Sequence, residues 1–518
     1  MLKIGMKQTL IVILVFLVVS SSAQSKKEAF TLFSDGNYEG ALEELLELYE
    51  ADKDNSEYAY LLGVCYLNTN IDKALAVEYL EKAAGTSKPN ENVDYLLGRA
   101  YHFAYQFDDA IDSYQKFKKI AKDGNPNLLA IEKQIEYCEN AKEFLKFPIN
   151  VSFDNLGKNV NSAYPDYYPF IPSDESYIIF NSMRDEQSSQ MSNGHYRANI
   201  YLAPVKDGEF SDAKLINFNI NSVEDNEEVV GLNSTGDRAI IYKEDFQKGS
   251  AIYESNIIEK RVETPVILPK TINSKYTEIA GSLSADGKRI YFASDRPGGY
   301  GGVDIYMCQR LPNGKWSQAQ NLGPTINTIE DEDFPNVSPD GQALYFSSKG
   351  HTSMGGYDIF KASWNPSKRK FGAVRNLGYP INTPEDNMNF RASTTGRHGY
   401  ISSLRKGGFG DLDIYRVTFR EIEPEYTVIT GKIKAAEENS KFENALISVT
   451  DEETGDVYGD YIPNLQTMRF VMILPPGKYE IYVESEGFKE VYENIEVLDK
   501  SSYQSFIERN FILTPNKE

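Results

Sequence analysis

Cysteine, histidine and tryptophan are scarce in this 518-residue chain, with three, four and two copies. Cys65, Cys138 and Cys308 are odd in number and widely scattered, so no disulfide framework is indicated. Cys65 and Cys138 read as buried thiols of a helical region. His102, His195, His351 and His398 fall in separate segments. There is no His-Glu-x-x-His, Cys-x-x-Cys, Gly-x-Ser-x-Gly elbow or phosphate loop, so nothing singles out a catalytic constellation. Positive charge is also short: 54 Lys and Arg face 76 Asp and Glu, for a net charge of −22. The acids are spread along the chain, and the basic stripe that nucleic acid requires is missing. Beyond the N-terminus no apolar run is long enough to cross a membrane. No cofactor or metal is expected.

The one apolar run is Leu10–Val19, preceded by Lys3 and Lys7 and followed by Ser21-Ser-Ala23. That order reads as a secretion signal over 1–23, with a mature chain starting at Gln24. No Cys lies at this junction, so no lipid attachment is expected.

What is abundant is tyrosine, 35 copies, and repetition. Over 25–146, Tyr58-Ala-Tyr-Leu-Leu-Gly-Val-Cys-Tyr66 matches Tyr95-Leu-Leu-Gly-Arg-Ala-Tyr101, with Ala29, Gly63 and Gly98 at equivalent places. Gly36-Asn-Tyr-Glu-Gly-Ala41 and Phe107-Asp-Asp-Ala110 follow at the next helix. The spacing resembles the tetratricopeptide pattern, and three repeats plus a closing helix at about 127–146 are expected. The resemblance implies a concave groove for a partner segment, with Tyr60, Tyr95, Arg99 and His102 facing it.

From 147 to 420 a β phrase recurs five times. It reads Asp333-Phe-Pro-Asn-Val-Ser-Pro-Asp-Gly341, Leu344-Tyr-Phe-Ser-Ser348 and Gly355-Gly-Tyr-Asp-Ile-Phe360 in the clearest copy. Asn161-Ser, Asn221-Ser, Asn273-Ser, Asn327-Thr and Asn382-Thr open the units, and Asn199-Ile-Tyr, Ala251-Ile-Tyr, Asp304-Ile-Tyr, Asp358-Ile-Phe and Asp413-Ile-Tyr fall later in each. Such a period, with four short strands per unit, indicates a propeller. Outer strands end in Asn-Leu-Gly323 and Asn-Leu-Gly378; the fifth unit has none, but Ile149–Gly157 ends the same way. That strand is expected to complete the last blade and remove an open edge. The repeated glycines are read as close backbone approaches or positive φ rather than a phosphate loop. Asp304, Asp358 and Asp413 are read as structural hydrogen-bonding groups rather than metal ligands. The acidic runs Glu224–Glu228 and Glu330–Asp333 lack an EF-hand spacing and are expected to be solvated loops. The first unit departs from the phrase with Ser173-Asp-Glu-Ser176 and a long polar loop at 184–198.

After a short acidic linker at Glu421–Glu425, residues 425–518 carry strands and turns such as Pro475-Pro-Gly-Lys-Tyr-Glu-Ile-Tyr-Val483. This resembles the carboxypeptidase regulatory-like module, a non-catalytic transthyretin-type sandwich. The expected fold is therefore a multidomain α plus all-β chain: a tetratricopeptide solenoid, a five-bladed TolB-like propeller and a transthyretin-like β-sandwich. In that order the modules resemble the PorE-like components of the Bacteroidota type IX secretion system. The resemblance implies a periplasmic, non-catalytic scaffold of secretion or gliding machinery, partnered with a PorP/SprF-like outer-membrane barrel. The OmpA-like domain and lipid anchor of that family are not found in the sequence, so peptidoglycan binding is not expected. Two further readings stay open: a ligand- or glycan-binding propeller sensor, and a hydrolase with axial carboxylates.

Overall fold

Six helices in three successive pairs open the computed structural model. It describes residues 25–516 apart from 217–219, 246–248, 285–286, 339–340, 366–367, 394–397, 421–426, 438–441, 443, 464–467 and 498–505. The expected signal segment, the acidic linker and the Asp-Gly pairs at Asp286 and Asp340 lie wholly or partly outside these residues. Two compact units result: one runs through Ile131 and includes Glu186–Arg197, the other holds Glu132–Asp185 and Ala198–Glu518.

In the first unit the helices are α1 (25–34), α2 (Tyr38–Ala51), α3 (Ser56–Leu67), α4 (Ala76–Ala84), α5 (Val93–Phe103) and α6 (Phe107–Ile120). Asn37 and Asn55 cap α2 and α3, each side-chain oxygen accepting main-chain N–H groups of the first turn. The repeated small residues mark where helices touch. A Cβ on Gly63 would lie 2.4 Å from Leu80 Cγ, and one on Gly98 2.5 Å from the Tyr114 ring. Ala29, Ala41 and Ala110 are fully buried. The polar loop of the first sheet, Glu186–Arg197, belongs to this unit, with Gly194 against the Asn37 side chain.

The second unit takes in α7 (Ile131–Lys146) from its second residue on and contains five antiparallel sheets in succession. Each is a meander of adjacent strands; the fourth, for instance, runs Glu332–Val337, Ala343–Ser348, Asp358–Asn365 and Lys370–Asn376. The fifth is completed from the front of the chain: Val151–Asn155 pairs antiparallel with Asp413–Phe419, Val151 opposite Phe419 and Asn155 opposite Tyr415. The sheets thus close into a five-bladed propeller. In the third blade the outer strand is shorter than Trp316–Leu322; pairing is confined to Gln320–Asn321 and a bridge at Trp316, which lies under the Arg310 guanidinium.

Beyond the propeller, two four-stranded sheets share one apolar core. Ile429, Ile433, Phe470, Met472 and Phe511 come from one sheet, and Ile447, Val449, Tyr479, Ile481 and Val483 from the other. Helix α7 was expected to close the helical array. It groups instead with the sheets: Tyr137 Oη and Asn140 Nδ2 donate to the carbonyls of Lys349 (2.6 Å) and Ser353 (2.8 Å) in the fourth blade. Past its end, Phe147 stacks on Tyr458 at 5.7 Å.

Candidate functional site

The five-fold residues are consumed in building blades. Each Asn of the opening phrase clasps the main chain of the Ile in the preceding blade's x-Ile-Tyr. Ile305 N donates to Asn327 Oδ1 (2.8 Å), and Asn327 Nδ2 donates back to Ile305 O (3.0 Å). Asn221, Asn273 and Asn382 do the same to Ile200, Ile252 and Ile359. Asn161 clasps Ile414 and so locks the last blade to the first. Both conspicuous motifs of the sequence are the two halves of this one contact.

A second latch went unread, although Ser182-Met-Arg184, Ser294-Asp-Arg296 and Ser403-Leu-Arg405 repeat in the sequence. In every blade a nitrogen-bearing side chain donates to the carbonyl preceding, or next but one before, that Asn: Arg184 to Val160, Lys243 to Ile220, Arg296 to Ile272, His351 Nε2 to Ile326 and Arg405 to Pro380. Asp166, Glu227 and Glu278 pair with the first three of these cations. In the fourth blade the Arg position is Gly350, where a Cβ would lie 2.1 Å from Thr328 Oγ1. Glu332 therefore has no cationic partner among the described residues. It accepts from Thr328 and Ser348, and burial pushes its carboxyl up to about 7.

The remaining repeat groups have similar roles. Asp304, Asp358 and Asp413 each accept from the Gly-rich loop and from an outer-strand Asn (Asn321, Asn376) or, in the last blade, from Asn155. Gly301 and Gly355 lie so close to the next blade that a Cβ would meet the carbonyls of Glu330 and Pro384 at 2.0 and 2.4 Å. In the first blade Glu175 stands at the tight-turn glycine position and takes φ 51°. One expectation is corrected: the acidic runs are not solvated throughout. Glu227, Glu332 and Asp333 are buried, because each run leads straight into an inner strand.

Contacts among the inner strands, two of them between non-adjacent blades, define the axis. Tyr168, Phe334 and Asn389 share one repeat position with φ 52°, 46° and 56°, the first two in bulges of their inner strands and Asn389 just ahead of its strand. Tyr168 of the first blade packs on Phe334 of the fourth at 4.3 Å. Asn336 Nδ2 donates to Asn389 Oδ1 (2.6 Å), and Arg391 reaches from the fifth blade to the Leu232 carbonyl of the second (2.7 Å). Arg391 is buried with no carboxylate in hydrogen-bond reach among the described residues, and burial lowers it to about 10. The axis is filled rather than open. Beside Tyr168 lie two acids at one repeat position: Glu228 accepts from Tyr167 Oη (2.8 Å), and Asp333 from its neighbour Phe334 N (2.6 Å). Burial raises both, Asp333 to about 7. Among the described residues no group of three or more His, Cys, Asp or Glu could hold a metal.

On the helical unit, Tyr95, Arg99 and His102 follow one face of α5, and Tyr60 lies on α3. Tyr60 is half-buried against the apolar core, Tyr95 packs on Tyr114 and Phe117, and Arg99 lies 6.0 Å from the Phe103 ring. His102 is 3% exposed, 5.6 Å from the Phe107 ring of α6. It is a core residue, because the last turn of α5 packs against the start of α6, and it does not face a groove.

No family model and no curated protein matches the chain. Among solved structures it is similar to TolB from Acinetobacter baumannii (18% identity, TM-score 0.33), over 50% of this chain and 56% of that one. It is also similar to the RRP9 WD40 repeats (10%, TM-score 0.28; 52% and 97% covered) and to an α-L-arabinanase of Penicillium chrysogenum (9%, TM-score 0.31; 51% and 98%). The chain spans little more than half of TolB's length. At these scores the architecture rests on this chain's own strand pairing, and no activity is carried over.

Proposed function

We propose that this chain is a non-catalytic, periplasmic scaffold or adaptor of outer-membrane secretion or gliding machinery. In this reading α1–α6 form a tetratricopeptide solenoid and the C-terminal sheets a transthyretin-like sandwich, in the order of the PorE-like components. Its partner is a protein, an outer-membrane barrel of the PorP/SprF type. One observation carries the reading: the repeated Asn, Asp, Arg and Gly residues are engaged in holding blades together and the axis is plugged, which leaves surfaces as the source of function. Tyr60, Tyr95 and Arg99 supply one such surface. Affinity purification from native envelopes tests it: a barrel or secretion component should accompany the protein, and recovery of the chain alone would sink the idea.

One feature favours the runner-up, a glycan-binding or hydrolytic propeller. Glu228 and Asp333 flank the axis, and burial raises both; Asp333, at about 7, lies where a carboxyl can serve in acid–base work. Both are already bonded, Glu228 to Tyr167 of the neighbouring first blade and Asp333 to its own neighbour Phe334. Turnover of an oligosaccharide that is lost in Asp333→Asn would replace the scaffold reading.

A further inference from the structure

The third, fourth and fifth blades carry equal-length Gly-rich loops before their Asp-Ile-Tyr or Asp-Ile-Phe strands: 295–303, 349–357 and 404–412. Tyr300, Met354 and Phe409 share one position, each giving its main-chain N–H to the loop's Asp. Met354 is fully buried, and α7 is bonded to the carbonyls of Lys349 and of the adjacent Ser353. Tyr300 is 51% exposed and Phe409 46%.

At the third blade the exposed surface is doubled. Gly301 approaches the carbonyls of Thr328 and Glu330 within Cβ reach, which brings the loop of Tyr300 against the loop that carries Ile329, 81% exposed. The loop's N–H groups at Tyr300 and Gly301 are spent on Asp304. The counterparts of the carbonyls that α7 uses are those of Asp295 and Gly299. A partner must therefore bring donors and an apolar face together, as α7 does with Tyr137 and Asn140 three residues apart.

We propose that the third blade's loop, through Tyr300 and Ile329, seats an amphipathic α-helix of a partner protein as the fourth blade seats α7. The inference rests on the adaptor reading and deepens it by naming the surface. A second copy of this chain is the poorer occupant, because its own α7 is already seated on its own fourth blade.

The probe is a dye-labelled synthetic peptide of the α7 sequence, residues 131–146 with Cys138→Ser, titrated into the full chain by fluorescence anisotropy. We expect saturable binding, weakened at least tenfold by Tyr300→Ser/Ile329→Ser, whose exposed positions leave the melting temperature unchanged. A peptide carrying Asn140→Pro should not bind. The proposal is overturned by no saturable binding, by equal affinity in the double variant, by equal binding of the proline peptide, or by loss in Phe409→Ser instead. Light scattering adds an arm: a wild-type dimer that the double variant dissolves would assign the surface to self-association. A chain recovered from envelopes alone, while still binding the peptide through Tyr300, would fail the adaptor reading but not the seat.

Discussion

Asn327 sits buried between blades with both ends of its amide on Ile305. Truncation strands a buried main-chain N–H and C=O, each costing about 1–3 kcal/mol. We therefore expect Asn327→Ala to lose roughly 3 kcal/mol or more in chemical denaturation. A loss below about 1 kcal/mol would mean that water replaces the amide. Glycines separate into two kinds. Gly355→Ala drives a methyl into the Pro384 carbonyl, main-chain atoms with no easy escape, whereas Gly298 has open space and only a positive φ of 92°. Gly355→Ala should cost more than Gly298→Ala, itself near 1 kcal/mol. Glu332 supplies a pH test. Its folded pKa, about 7, is above the ordinary value near 4, so the folded state holds this proton more tightly than the unfolded chain does. Its contribution is full below pH about 4 and is lost as pH rises through 7. Melting temperatures measured from pH 5 to 8 should fall less in Glu332→Gln than in the native protein; parallel curves would contradict the assignment.

Elements are joined in an order that the chain does not follow. The strand Val151–Asn155 lies far in sequence from Asp413–Phe419, with which it pairs. Removing it uncovers the full edge of the fifth blade and takes away the Phe153 ring that lies against the Arg405 guanidinium. We expect deletion of Val151–Asn155 to give a chain that aggregates on light scattering and loses cooperative melting. A soluble, cooperatively folding deletion would show that closure is dispensable. The strand's place was legible because its Asn-Leu-Gly ending copies the outer strands, and Asn155 repeats the bond that Asn321 and Asn376 make to the blade's Asp. The seat of α7 was not legible. Periodicity marks a helix, but its neighbour depends on the loop carbonyls of a blade more than 200 residues away.

At the scale of the whole molecule, a net charge of −22 and the filled axis direct attention to surfaces. Of the four residues proposed for the helical groove, Tyr60, Tyr95 and Arg99 are partly exposed, while His102 is enclosed. A double variant Tyr95→Ala/Arg99→Glu should reduce recovery of an envelope partner while far-UV circular dichroism stays native. His102→Ala should instead lower the melting temperature by removing packing against Phe103 and Phe107. The opposite pattern would place the binding surface elsewhere.

The amino-acid order alone determined the five-fold count, the closing strand and the small residues at helix contacts. These follow from local periodicity and from residues that must recur wherever a unit recurs. Which residues serve packing and which are left for partners was decided only in three dimensions. The Asn–Ile clasp, the Arg latch and its His351 substitute, the plugged axis and the helix on the fourth blade all join residues distant in sequence. Their meaning comes from burial and hydrogen-bond geometry, neither of which a spacing records.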